Sequence, residues 1–357
     1  MAKVFVGMSG GVDSSVTALL LRDAGHEVVG VFMRCYNVDG CEDRDAEDAR
    51  RVAEHLQIPF YVWDFENEYK ERVVRYLIDG YARGETPNPD VMCNREIKFG
   101  LFFEKARALG ADFVATGHYV RLEPAAERNL KIENWKLKIA KDKNKDQSYF
   151  LWTLGQAQLA HCLFPIGDYL KSEVREIARR AGLPTAEKKD SQGICFLGQV
   201  AIGDFLKEYI PAKRGDVVTV AGKKIGEHDG AHAYTIGQRH GIGIGGGKPY
   251  YVVDKNVRKN LLTVVEGGED DALYKKEVEL TGVNAINPLP ANSHELAGKA
   301  EVFARVRYRQ PLRKAMIIIN ESRIKLIFDE PVKFVAPGQS AVFYSEEGEM
   351  LGGGIIT

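Results

Sequence analysis

The 357-residue sequence contains no apolar run near the roughly 20 residues that a membrane-crossing helix requires. Five cysteines are an odd and sparse set in a chain of this length, which excludes a disulfide-built secreted scaffold. No Cys-x-x-Cys pair occurs, so zinc ribbons and thioredoxin-type redox motifs are disfavoured. Neither sign of charge prevails: 49 Lys and Arg stand against 50 Asp and Glu, and no global field draws nucleic acid. Any such binding must come from local patches. Internal repeats and low-complexity segments are also missing. What remains, at 45% hydrophobic and 28% charged residues, is ordinary globular composition with enough apolar material for two or three cores. The amino terminus reads as a buried strand entering a Gly/Ser loop, not as a signal peptide, and the cytosol is the expected location, with no membrane partner.

The first half alternates short β-branched runs (3–7, 27–33, 60–64 and 112–116) with helical stretches (14–24, 44–56, 66–81 and 93–109). That alternation predicts a mostly parallel α/β sheet with right-handed crossovers, whose ligands bind at the carboxyl ends of the strands. From 147 to 210 the strand signal fades, and helices at 172–181 and 205–210 predict a small helical connector in which Cys162 is an ordinary core residue. Beyond Pro211, short strands punctuated by Gly, Asn-Pro and Asp-Gly predict one or two small antiparallel β-barrels. The expected fold class is therefore multidomain α/β plus β. Its expected units are a nucleotide-binding domain at 1–146, a connector at 147–210 and a barrel region at 211–357.

The sharpest local signal is Gly7-Met8-Ser9-Gly10-Gly11-Val12-Asp13-Ser14, directly after a strand and opening a helix. Two glycines let backbone N–H groups approach an anion, hydroxyls add donors, and the helix terminus adds its positive end. The loop lacks the Gly-Lys-Ser/Thr ending of a P-loop and the spacing of a dinucleotide site, which sets aside kinases, GTPases and NAD enzymes. Asp13 in an anion cradle calls for a companion cation, and Mg²⁺ accompanying the phosphates would resolve the clash. This stretch resembles the PP-loop of ATP pyrophosphatases, which implies adenylation with release of pyrophosphate. Met33 and Gly117, at the ends of the second and fourth strands, lie where adenine and ribose would then be expected.

Two cysteines sit in polar loops. Cys93 follows Thr86-Pro87-Asn88-Pro89-Asp90-Val91-Met92, and a helix is expected to begin near it. With Arg95 and Lys98 close by, its thiol is expected to have a lowered pKa. Cys195 lies in Lys188-Lys189-Asp190-Ser191-Gln192-Gly193-Ile194-Cys195-Phe196. Two such thiols on separate loops suit persulfide transfer followed by thiol–disulfide exchange. Cys35 and Cys41 receive no assignment.

Together, the phosphate loop, 86–99, Thr116-Gly117-His118-Tyr119, Lys145-Asp146-Gln147-Ser148-Tyr149-Phe150, 190–196, 234–239, 241–246 and 304–309 resemble the tRNA-specific 2-thiouridylases. The likeness runs from near residue 3 to the final Gly-Gly-Gly-Ile-Ile in one order. It implies ATP-dependent 2-thiolation of the wobble uridine of tRNAs for Lys, Glu and Gln. In that scheme ATP adenylates the C2 oxygen, a Cys195 persulfide supplies sulfur, and Cys93 is the nucleophile that ends in a disulfide with Cys195. Asn88, Pro89 and Asp90 would face the target base, with Asp90 either a general acid/base or a turn-closing residue. A cysteine desulfurase or sulfur-relay protein would load Cys195. An iron–sulfur cluster on Cys93, Cys195 and Asp90 is an alternative cofactor, left undecided. A non-thiolating PP-loop ligase is the rival activity, but it leaves both cysteines without roles.

Charge is uneven along the chain. Residues 303–325 hold seven basic side chains (Arg305, Arg307, Arg309, Arg313, Lys314, Arg323, Lys325) against Glu321 alone. Residues 131–145 hold six lysines against Glu133 and Asp142. Alternation along a strand would make a phosphate-facing row of such residues, with Tyr308 available for stacking. The resemblance implies tRNA contacts at His118, Lys145, Asp146, Gln147, Arg307, Tyr308 and Gln339. His118 reads equally as a satisfied loop histidine.

Overall fold

The computed structural model describes residues 1–38, 40, 42–125, 134–190, 193, 196–198, 200–245, 247–287, 298–320 and 323–357. Cys41, Glu133, Ser191, Gln192, Ile194, Cys195 and Glu321, all named above, lie outside the described residues.

The amino-terminal half is a parallel sheet. Strands β1 (Lys3–Gly7), β2 (Glu27–Arg34), β3 (Phe60–Asp64) and β4 (Phe113–Thr116) follow the expected runs to within a residue or so. A hairpin, β5 (Val120–Pro124) with β6 (Trp135–Ile139), precedes β7 (Cys162–Leu163), which completes the order β3-β2-β1-β4-β7. Every pairing in this sheet is parallel. Alternate residues of β1 serve two layers: Val4 and Val6 join one core while Phe5 joins the other. Burial on both faces is what a parallel sheet covered by crossover helices requires. Helices α1 (Val12–Asp23) and α2 (Glu42–Leu56) supply one of those layers, through Val12, Val16 and Leu19 and through Ala49, Val52 and Leu56. Two expectations need correction. Cys162 is not in a helix but pairs with Val114 at the sheet edge. The helix carrying Cys93 begins four residues earlier, at Pro89.

The chain order of this sheet reverses at β1, because β2 and β4 flank it on opposite sides. The loops after β1 and β4 therefore open a crevice at the carboxyl ends of the strands, the usual place for a ligand in an open α/β sheet.

The rest of the chain is β-rich. Strands β8 (Gly215–Thr219), β9 (Lys224–His228), β10 (Tyr250–Asn256) and β11 (Leu261–Glu266) form a sheet of order β10-β11-β8-β9 around Val217, Val252, Leu262 and Val264. One of its pairings, β11 with β8, is parallel, so the expectation of purely antiparallel pairing fails for this sheet. Strands β12 (Tyr274–Ala285), β13 (Lys299–Arg305), β14 (Arg313–Asn320), β15 (Arg323–Lys333), β16 (Ser340–Tyr344) and β17 (Met350–Ile356) close into an antiparallel barrel. Closure is made by β17, a strand whose Gly-Gly-Gly sequence hides it from propensity reading. The reason for one glycine is steric: a Cβ on Gly353 would lie 2.7 Å from the indole of Trp152, which packs across this strand. No helix among the described residues is long and apolar enough to cross a membrane.

Candidate active site

The loop after β1 enters α1 at Gly11, and no side chain caps the helix. Its hydroxyls organise the turn from within: Ser14 Oγ and Ser15 Oγ both donate to the Gly11 carbonyl, at 3.1 and 2.8 Å, and the Ser9 amide donates to Ser14 Oγ at 3.1 Å. Gly10 has a φ of 71°, and a Cβ there would collide with the backbone carbonyl of Asp45 on α2. Gly117, after β4, packs against the first turn of α1, so both crevice loops converge on that helix terminus. Met33 touches the end of β1 at Gly7. An uncapped helix terminus beside a glycine turn fits a bound phosphate group.

Asp13 already has a cation. Lys171 Nζ lies 2.7 and 2.8 Å from its two carboxylate oxygens, and Tyr119 donates to the same group at 2.7 Å. The expected charge clash in the cradle is therefore answered by Lys171, which nothing in the sequence singles out. Among the described residues, no group of three metal-ligating side chains is present. Lys171 also reaches Asp190 at 2.9 Å, and Asp190 accepts from Lys145 at 2.6 Å and from Arg175 at 2.7 Å. Partial burial works to raise the Asp190 carboxyl, but hydrogen bonds from Lys145 and Lys171 hold it down at about 2. Lys188 is anchored on α2 through Asp45 and Asp48. The segment entering Cys195 is thus tied by ion pairs to the phosphate loop and to the helix beside it.

Asn88 and Pro89 start the helix that carries Cys93. The Asn88 side chain accepts from the amides of Asp90 and Val91 at 3.1 and 3.2 Å, and Pro89 occupies the first helical turn. This is the combination that both residues favour, with the cap worth about 1 kcal/mol. Winding changes to a π-helix over Asn94–Phe102 and returns to α over Phe103–Ala108, so Cys93 closes the first α-helical stretch. Its environment reverses the expected activation. The thiol is buried, and burial pushes its pKa up, opposed by Lys98 and by a hydrogen bond from Tyr69, with Asp90 adding to the rise. Tyr69 packs edge-on to Phe196 at 5.8 Å, and the Phe196 carbonyl accepts from the Val38 amide at 3.0 Å. The residue that follows Cys195 in the chain is therefore seated on the tyrosine that touches Cys93.

A family model described as tRNA methyl transferase HUP domain matches residues 2–199, a tRNA methyl transferase PRC-barrel model matches 203–266, and an aminomethyltransferase β-barrel model matches 276–356. A tRNA-specific 2-thiouridylase from Geobacillus thermodenitrificans is 46% identical over 363 residues, covering 99% of this chain and 94% of that protein. A tRNA-specific 2-thiouridylase from Staphylococcus aureus is 46% identical over 364 residues, covering 99% and 95%. The chain belongs to the tRNA-specific 2-thiouridylases. A solved 4-thiouridine synthetase–RNA complex with bound ATP covers 59% of this chain and 50% of its own, at 18% identity and a TM-score of 0.38, too loose a likeness to carry an argument.

In this thiouridylase, the residues expected to touch tRNA are engaged within the protein. His118 is buried between Phe99 and Phe164, hydrogen-bonded to Thr116 at 2.8 Å, and burial lowers its pKa well below the usual histidine value. Asp146 is buried in an ion pair with Arg305. His118 and Asp146 are only 6% and 4% exposed in this arrangement. Lys145 holds Asp190, and Gln147 accepts from the Tyr119 amide at 3.0 Å. The Tyr308 ring packs against Phe150 at a 51° tilt with centroids 4.5 Å apart, Arg307 donates to the Ile236 carbonyl, and Gln339 donates to the Thr86 carbonyl at 2.8 Å. These five remain partly accessible.

Nor do the described side chains within 303–325 form one phosphate-facing row. Val302, Ala304 and Val306 fill the barrel, so Arg305 and Arg307 point outward, where neighbouring elements cover them. Arg313, Lys314 and Lys325 pair with Glu330, Glu301 and Glu277. Sequence reading also missed Lys255, which donates to the carbonyls of Glu85 and Tyr234 and anchors β10 to the start of the Thr86 loop. Burial lowers its pKa to about 8.

Proposed function

We propose that this tRNA-uridine 2-sulfurtransferase works on the wobble uridine of tRNAs for Lys, Glu and Gln, by adenylation and then sulfur transfer. ATP, accompanied by Mg²⁺, sits on Gly7–Ser14 with Met33 and Gly117 beside the nucleoside. The uridine O2 attacks the α-phosphorus and pyrophosphate leaves, so C2 now carries AMP as a leaving group. The terminal sulfur of a Cys195 persulfide adds to C2 and AMP departs. Cys93 then attacks Sγ of Cys195, releasing the thiocarbonyl and forming a Cys93–Cys195 disulfide that an external thiol reductant must reopen. Asp90 serves as general acid/base, and Asn88 and Pro89 face the base. The base must leave its stack to reach this turn. A cysteine desulfurase or relay protein restores the persulfide. His118, Lys145, Asp146, Gln147, Arg307, Tyr308 and Gln339 meet tRNA after exchanging their internal partners.

The observation that carries this reading is the placement of Cys93 and Asp90 on one capped turn, next to a tyrosine on which the residue after Cys195 is seated. The test is reconstitution with ATP, Mg²⁺, unmodified tRNA and a persulfide donor, following 2-thiouridine by nucleoside mass spectrometry and pyrophosphate in parallel. Cys93→Ser and Cys195→Ser should each abolish thiolation while tRNA-dependent pyrophosphate release persists. Thiolation at the unaltered rate in both variants overturns the sulfur route. Stoichiometric iron and acid-labile sulfide after anaerobic purification would replace the disulfide scheme with a cluster.

A further inference from the structure

Lys171 joins two parts of the molecule that the reaction must coordinate. It opens the helix Lys171–Arg180, its side chain is only 12% exposed, and its ammonium lies between Asp13 on the phosphate loop and Asp190. An ammonium has three N–H donors, and three short contacts use them: two to Asp13, at 2.7 and 2.8 Å, and one to Asp190, at 2.9 Å. Lys145, Lys171 and Arg175 stand against Asp13, Asp190 and Asp142, whose carboxylate accepts from the Lys171 and Lys145 amides at 3.0 and 3.3 Å, so the cluster at the mouth of the glycine turn is balanced before a phosphate arrives.

A phosphate chain arriving at that turn brings strong acceptors to a lysine with no spare donor. One existing contact must yield, and the two carboxylates are not equally able to lose it. Asp190 would keep Lys145 and Arg175. Asp13 would keep only the neutral hydroxyl of Tyr119 among the partners described for it. We propose that Lys171 contacts the nucleotide, exchanging Asp190 for a phosphate oxygen when the loop is occupied. Nucleotide binding and the hold on the 186–190 segment are then linked through one ammonium. Arg175 retains the segment meanwhile through the Ala186 and Lys188 carbonyls, each at 3.0 Å. Linkage makes the effect reciprocal: the factor by which the Asp190 contact weakens nucleotide binding is the factor by which bound nucleotide weakens that contact.

The inference rests on the reading of the glycine turn as an ATP site, and calorimetric titration of the full chain with Mg-AMPPNP separates the two. Lys171→Met should weaken binding about tenfold or more, while Asp190→Asn, which removes the competitor, should tighten it roughly fivefold. The double variant should bind like Lys171→Met alone, since Asp190 acts only through that lysine. If Lys171→Met does not fold, Lys171→Arg keeps the charge, and Asp190→Asn should still tighten binding in that background. An Asp190→Asn variant that binds no more tightly than the parent overturns the exchange, as does an equal gain in the Lys171→Met background. Failure of the unaltered protein to bind Mg-AMPPNP overturns the ATP reading itself, and this inference with it.

Discussion

Arg305 of the closed barrel and Asp146, at the foot of the parallel-sheet half, form a buried ion pair, with Nη2 2.7 Å from Oδ2 and side chains 9% and 3% exposed. Around it, Ser148 donates to Asp146 at 3.0 Å, the Asp146 carboxylate accepts from the Ala140 amide, and Arg305 also donates to the Tyr344 hydroxyl at 2.9 Å. The pair fastens the barrel to the segment between β6 and the connector. It is accompanied by Tyr149, which donates to the Ser340 carbonyl, and by Trp152, which donates to Ser340 Oγ.

Removing one member of such a pair leaves an uncompensated buried charge. Arg305→Met should therefore lower stability by about 3–5 kcal/mol, read from urea unfolding. The double change Arg305→Met with Asp146→Leu should cost clearly less than the two single changes added together. A single change that leaves the urea midpoint in place would show that the barrel is not held by this contact.

Cys93 should be a poor nucleophile until tRNA arrives. Its pKa is raised above the ordinary thiol value of 9.0, so at neutral pH the thiolate fraction falls below that of a free cysteine. Iodoacetamide labelling at pH 7.5, followed by peptide mass spectrometry, should be about tenfold or more slower at Cys93 than in the urea-unfolded chain. Labelling should accelerate as pH rises past 9 or when tRNA is added. Rapid labelling of the tRNA-free protein would mean that the helix bearing Cys93 opens on its own.

His118 provides a pH test. Its pKa is depressed by burial from the usual 6.5, so the unfolded chain takes up a proton that the folded one refuses. Stability is complete above pH 6.5 and is lost progressively as pH falls below it, toward the depressed folded value. His118→Gln, which keeps a polar side chain without the titration, should flatten the change in urea midpoint between pH 7.5 and 5.5. Equal slopes in the two proteins would assign the acid sensitivity elsewhere.

Gly10→Ala should remove nucleotide binding while leaving the barrel intact. The added methyl meets the Asp45 carbonyl and must also take up a left-handed backbone conformation, so the turn moves away from α2. Calorimetry with Mg-AMPPNP should show no binding, while the far-UV circular dichroism spectrum should match that of the unaltered protein. Unimpaired affinity would exclude the glycine turn as the phosphate site.

Much of the architecture was legible in the sequence because it is locally encoded. Strands β1 to β4 announce themselves as β-branched runs, and Val12–Asp23 as a helix following two glycines, within a residue or two of where they fold. Strand β17 was not legible: its three glycines carry no strand propensity, and a partner such as Trp152 is 201 positions away in the chain. The Asn-Pro start of the Cys93 helix is present in the sequence, yet the helix is expected only near Cys93, although the two residues are an N-cap and a first-turn proline.

Residue types and local order alone determined the chemistry on offer: a glycine turn for an anion, two thiols in polar segments, and an acid close to one of them. Only the tertiary structure decided the electrostatics. Whether a thiol or a histidine is charged depends on how much water reaches it, and packing around Cys93 and His118 removes that water. Whether an arginine faces tRNA or a buried aspartate depends on which face of β13 meets the rest of the protein, which alternation along the strand leaves open. The Lys171 bridge is the clearest case, because Asp13 and Asp190 become neighbours of one lysine only after the chain has folded around it.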